Sequence, residues 1–128
     1  MTKAEAYVNA WRLGFKGDYS LVDKMYHPKY RATQKNINVE VDLDADKIVV
    51  STISEYVTPG PVRVIFENDD FLLFERYFKS TLTETLAFNL GMTAVTYLDG
   101  KIITQETVAE MDLPDPSEGQ DWNWEDYE

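Results

Sequence analysis

The sequence has no cysteine and a single histidine, His27. Disulfides, thiolate nucleophiles and cysteine-ligated metals are thereby excluded together, and any imidazole chemistry must pass through one residue. No apolar run approaches the roughly 18 residues of a membrane-spanning helix, and MTKAEAYVNAW is an amphipathic start rather than a charged head followed by an apolar signal core. A cytoplasmic protein is expected, with no membrane partner. Bases are scarce too: twelve Lys and Arg face 23 acids, and they are scattered singly along the chain. A phosphate-binding surface needs them clustered, so nucleic acid is not an expected partner. The chain also lacks GxGxxG, P-loop, GxSxG and HExxH patterns, which excludes the common nucleotide, serine-hydrolase and zinc-protease readings, and no cofactor or metal is expected.

What is present suits one globular core. A chain of 128 residues, 44% of them hydrophobic, has enough apolar material to offset the conformational entropy lost on folding. The charge is uneven. Residues 112–128 hold seven acids and no base, so the other 111 residues carry 16 acids against 12 bases and the net charge of −11 belongs mostly to the tail. The expected division is a domain over 1–111 and an acidic tail over 112–128. Acidic composition predicts disorder, yet Trp122, Trp124 and Tyr127 are anchors that would dock the tail on the body as a lid or clasp.

Periodicity predicts an α+β fold in which three N-terminal helices pack on a curved, four-to-six-stranded antiparallel sheet. Thr2 to Glu5 reads as a capping box, and Ala4, Tyr7, Val8, Trp11 and Phe15 recur on one helical face. Asp18 caps a second short helix carrying Leu21, Val22, Met25 and Tyr26, which stops at His27-Pro28. Tyr30 to Gln34 reads as a short strand. A third helix is expected from Asp44 or Asp46 to about Val57, ending at Thr58-Pro59-Gly60-Pro61. Asp42, Asp44 and Asp46 open like a calcium loop, but Lys47 stands where that loop needs Gly and Ile53 where it needs Glu, so helix capping accounts for them better.

The period then changes to two. Val62–Glu67 and Phe71–Lys79 flank Asn68-Asp69-Asp70, and Leu86–Leu98 joins Lys101–Met111 through Asp99-Gly100, a type I′ turn signal. Gly91 is expected to bend its strand. Regular pairing across Asp99-Gly100 puts Leu90, Met92, Ala94, Ile103 and Gln105 on the face toward the helices. The same register puts Val95, Tyr97, Ile102 and Val108 on the outer face, which looks like an interface.

Two candidates for chemistry stand out. Glu75 shares its expected strand face with apolar residues, where desolvation would raise its pKa and fit it for acid/base work; the competing reading is an outer-face glutamate paired with a base. His27 lies at the expected end of the second helix, where the helix dipole favours it without any catalytic role. Tyr7, Trp11, Tyr30 and Tyr56, with Met92 and Gln105, would line a small-ligand pocket, or are simply core.

Met25-Tyr26-His27-Pro28-Lys29-Tyr30-Arg31 and Leu98-Asp99-Gly100-Lys101-Ile102, set in this element order, resemble the SnoaL-like branch of the NTF2-like cone-shaped fold over about residues 3–111. The resemblance implies a homodimer and a pocket between helices and concave sheet. Members include isomerases, cyclases, epoxide hydrolases, dehydratases and catalytically silent domains. Where isomerases carry a base in the short strand, this chain has Ala32, Thr33 and Gln34; where they carry a protonated acid, it has Met92, Thr93 and Ala94. Two readings follow. One is a binder of a small apolar or aromatic molecule; the other is a cofactor-independent acid/base enzyme working through Glu75.

Overall fold

In the computed structural model, which describes residues 1–128, the chain opens with helix α1 (Lys3–Gly14). Thr2 caps it, its hydroxyl accepting from the Glu5 amide. The carboxylate of Glu67, 63 residues away in sequence from Ala4, accepts from the Lys3 and Ala4 amides, so a distant strand end also serves the helix N-terminus. Helix α2 (Ser20–Met25) follows, then strands β1 (Tyr26–Gln34) and β2 (Val39–Val41), and helix α3 (Leu43–Ile53). Four strands complete the body: β3 (Val57–Glu67), β4 (Phe71–Ser80), β5 (Ala87–Leu98) and β6 (Lys101–Leu113). A 3₁₀ turn, Trp124–Tyr127, lies near the end of the chain. No helix is long and apolar enough to cross a membrane.

The architecture is α+β as expected, with differences that have physical causes. All six strands form one sheet in the order β2-β1-β6-β5-β4-β3. It is mixed: β1 runs parallel to β6, not antiparallel. Side-chain periodicity reports which face a residue occupies but not the direction of its neighbour, and the long stretch from α3 to β5 gives the chain ample length to return in parallel. Asn36 fastens the end of this pairing, its side-chain amide bonding both the N–H and the carbonyl of Ala109. Strand β1 also begins earlier than expected, at Tyr26, and accommodates Pro28 where its register with β6 slips. Strand β3 starts at Val57 and carries Pro59 and Pro61 inside it, because it is an edge strand and those positions need no outward N–H partner. Asp42, not Asp44 or Asp46, caps α3, accepting from the Ala45 amide at 2.9 Å.

The largest departure concerns the sheet faces. Asp99 and Gly100 both take positive φ, at 53° and 77°, as the tight turn requires. Tyr97 opposes Ile102, but Thr96 then opposes Thr104, so Ile103 is an extra residue and β6 changes register by one. Beyond this bulge Gln105, Thr107 and Ala109 lie opposite Val95, Thr93 and Gly91. Gly91 itself is paired regularly with Arg76 and Ala109, and the register shifts of this strand pair fall on either side of it, between Phe88 and Leu90 and between Thr96 and Tyr97. Val95 and Ile102 are fully buried and Tyr97 packs against the core. They belong to the helix-facing side and not to the outer face assigned above. Met92, 37% exposed, and Val108, 44% exposed, lie on the opposite side.

The helix-facing side supplies the core, where Val22, Leu72, Val95 and Ile102 are wholly removed from water. Each such side chain contributes about 1.5–3 kcal/mol relative to an exposed position. Helix α3 contributes little, having no buried residue, and Ile48 and Val49 lie open on it. Ile102→Ala should therefore cost about 2–5 kcal/mol in chemical denaturation, whereas Val108→Ala should stay within about 0.5 kcal/mol. Equal costs would show the faces to be assigned wrongly.

Candidate functional site

Between the C-terminal half of α1 and the β3–β4 edge lies a cleft of about 680 Å³. Its apolar lining includes Val8 and Trp11 from α1 and Phe15 at its C-cap, with Val57 and Val62 from β3. These three reach one opening because Val8, Trp11 and Phe15 follow one another at spacings of three and four, the C-cap Phe15 keeping a helical backbone. Arg76 of β4 also lines the cleft. Its Nε donates to the Gly60 carbonyl at 2.9 Å, and burial lowers the pKa of its guanidinium without threatening its charge. Arg12 of α1 and Lys16 in the turn after it add two exposed bases.

The far end of the chain closes one side of this cleft through Asp126, Tyr127 and Glu128. Trp124 anchors that end. It is buried, its ring lies 5.8 Å from that of Phe88, and its Nε1 donates to Asp115 at 3.1 Å. Trp122 meets it edge-on at 5.2 Å and meets Tyr127 at 5.8 Å. Lys79 pairs with Glu128. Gly60 makes the docking possible: a Cβ there would stand 2.9 Å from the Trp124 ring and 3.1 Å from the Tyr77 carbonyl. One glycine thus holds Arg76 through its carbonyl and leaves room for Trp124 at its α-carbon.

Behind Trp11 runs a polar chain inside the core. The Trp11 indole donates to the Tyr26 hydroxyl at 2.8 Å. Tyr26 and Tyr7 each reach Gln105 Oε1, at 3.5 and 3.4 Å. Tyr30 donates to Asp46 at 2.8 Å. Burial raises the hydroxyl pKa of all three tyrosines, that of Tyr7 to about 12, so they remain neutral donors. Burial also raises the carboxyl of Asp46, against the opposing pull of the Tyr30 hydrogen bond. Asp46 lines neither this cleft nor a second, smaller one bordered by His27, Tyr30 and Lys101. The hydroxyl of Tyr97, buried farther along β5, has no partner.

By sequence the chain matches no protein-family model and no curated protein. Solved structures match its fold. A loop-truncation variant of IdmH superposes with a TM-score of 0.64 at 12% identity, over 84% of this chain and 91% of the other. AclR from Streptomyces galilaeus gives 0.60 at 15% identity, over 88% of each chain. An NTF-2 like protein from Burkholderia xenovorans gives 0.59 at 13% identity, over 91% of this chain and 87% of the other. The fold is NTF2-like.

Within this NTF2-like body the residues singled out from sequence separate into distinct places. Tyr7, Trp11, Tyr30 and Gln105 do converge on the space between helices and sheet, although of these only Trp11 lines the larger cleft. Tyr56 is 47% exposed in the turn between α3 and β3, outside both clefts, and Met92 faces outward. Glu75 is not in the concave space. The β3–β4 hairpin is offset by one residue from the expected register, Arg63 opposes Glu75, and the two form an ion pair at 2.6 Å on the outer face. His27 sits within β1 rather than at a helix end, with Nδ1 accepting from the Lys29 amide at 3.0 Å. Arg76 and Asp46 escaped the sequence reading. Strand parity relative to Leu72 and Phe74 could have placed Arg76 inward; Asp46 looked like one cap among three aspartates.

The raised carboxyl of Asp46 has a consequence for stability. Between its ordinary value near 3.8 and its higher folded value, the native state binds more protons than the unfolded chain, so this group's contribution to stability falls as pH rises. Relative to Asp46→Asn, the wild type should therefore gain stability as pH drops from 7 toward 4. Urea denaturation at several pH values checks this, and a difference independent of pH would contradict it.

Proposed function

We propose that this chain binds a small, largely apolar or aromatic molecule in the cleft between α1 and the β3–β4 edge. The observation that carries this reading is the cleft itself: about 680 Å³, within the range of small-ligand sites, with an apolar stretch formed by Val8, Trp11, Phe15, Val57 and Val62 beside the charged side chains of Arg12, Lys16 and Arg76. On the stretches Met25–Arg31 and Leu98–Ile102 we assign the chain to the SnoaL-like branch of its fold.

Binding is favoured over acid/base catalysis because no carboxylate is poised for proton transfer to a molecule in the cleft. Glu75 is engaged by Arg63 on the other face of the sheet. Asp46, the carboxylate with the raised pKa, accepts from Tyr30 and lines neither cleft. The acids that do border the larger cleft, Asp126 and Glu128, belong to the tail, where Glu128 pairs with Lys79. General acid/base work needs a group within hydrogen-bond reach of the reacting atom.

The homodimer belongs to the same proposal, with its surface redrawn. Phe66, Met92 and Val108 stand 52%, 37% and 44% exposed. Leu73 lies opposite Phe66, and Met92 lies between Glu75 and Val108, so these residues form a continuous outer patch around the Arg63–Glu75 pair. Sedimentation should show a dimer that Met92→Glu weakens.

Ligand binding is tested with a neutral aromatic such as 2-naphthol. Saturable quenching of tryptophan fluorescence and a raised melting temperature are expected. Val8→Glu, which places a charge in the apolar wall, should weaken the response at least tenfold while leaving the protein folded. No saturable response in the wild type, or one untouched by Val8→Glu, would overturn the reading.

A further inference from the structure

Arg76 is the one charged side chain on the helix-facing side of β4, and none of the six ion pairs in the structure involves it. Its single hydrogen bond uses Nε, toward the Gly60 carbonyl. The terminal guanidinium nitrogens make no hydrogen bond and are not sealed from solvent, so they open on the cleft that Arg76 lines. A half-buried cation without an acidic partner forgoes hydration and receives no counter-charge in return. Here its orientation is nevertheless fixed, by the Nε bond at one end and by the buried backbone of Gly60 beneath Trp124. A fork held in one plane, with two parallel N–H groups free, matches a planar carboxylate in bidentate geometry.

The surrounding charge agrees. Arg12 and Lys16 border the same cleft and neither forms an ion pair. Against these three bases stand two tail acids, and both have partners: Glu128 is held by Lys79, and Asp126 accepts from the Asn123 amide. Gly91, opposite Arg76 on β5, projects no side chain that could supply a counter-charge.

We infer that the ligand of this cleft is an organic monoanion, an aromatic or aliphatic carboxylic acid whose carboxylate docks on the Arg76 fork while its apolar body lies along Trp11 and Val62. The inference rests on the binding function proposed above and names the chemical class that the site takes. A carboxylate fits better than a phosphate ester, because one fixed fork can pair both oxygens of the former whereas a dianion would lean on Arg12 and Lys16, which are exposed to water and not held by any partner.

The test compares three probes of equal ring size by calorimetry or fluorescence at low salt: 2-naphthoate, the neutral 2-naphthamide and 2-naphthyl phosphate. Charged, bidentate hydrogen bonding predicts that the wild type binds 2-naphthoate about tenfold to a hundredfold more tightly than the amide. Arg76→Gln should abolish that preference without weakening the amide, and Arg76→Lys should restore only part of it. The wild-type comparison stands even where Arg76→Gln does not fold. Equal affinity for naphthoate and amide would overturn the carboxylate assignment and leave apolar binding intact. A clear preference for the phosphate would also overturn it, and failure of all three probes to bind would remove the binding function together with this inference.

Discussion

Ile103 is the residue on which the architecture turns. A tight turn at Asp99-Gly100 launches β6 with Ile102 facing the helices, and strict alternation would then send Gln105 outward. The extra residue at Ile103 changes that parity. Ile102 and Gln105 come to share the inner face, so one strand supplies both a wholly buried apolar side chain and the carbonyl acceptor that Tyr7 and Tyr26 share. Without the bulge these tyrosines would lose that acceptor inside the core, where an unpaired hydroxyl is expensive.

The same face assignment decides what the cleft contains. With Val95 and Thr93 inward, the neighbouring strand must present Leu72, Phe74 and Arg76 inward and Glu75 outward. The chain thus places a base, not an acid, beside its apolar opening. This inverts the electrostatic logic expected from sequence, in which a desolvated glutamate would have faced the ligand. A guanidinium keeps its charge under partial burial whereas a carboxyl tends to neutralise, so Arg76 recognises an anion where Glu75 would have moved a proton. The tail contributes through Gly60, whose missing side chain lets Trp124 press against the strand that holds Arg76.

Much of the fold was legible because its helices and long hairpins announce their periods. Thr2 and the Ala4–Phe15 stripe give α1, and Asp99-Gly100 gives the β5–β6 turn. Strand direction and bulges were not legible. Nothing in Tyr26–Gln34 states that its neighbour runs parallel, and Ile103 is as apolar and β-branched as Ile102, so composition cannot say which of them is the extra residue. A slip of one residue in β6 or β3 regroups its side chains against the neighbouring strand, so Val95, Tyr97 and Glu75 were each judged among the wrong cross-strand companions and placed on the wrong side. The aromatic part of the site survived that error, since Tyr7, Trp11 and Tyr30 are fixed by helix spacing and by the entry of β1.

The central claim is that Val95, and with it Arg76, belongs to the buried side of the sheet. Because the native sequence has no cysteine, single-cysteine variants report burial without background. The rate at which a thiol reagent labels Val95→Cys, compared with Met92→Cys and Val108→Cys, tests the claim directly. Labelling of Val95→Cys that waits on unfolding, beside rapid labelling of the other two, is the predicted result. Rapid labelling at position 95 with protection at 92 and 108 would contradict it.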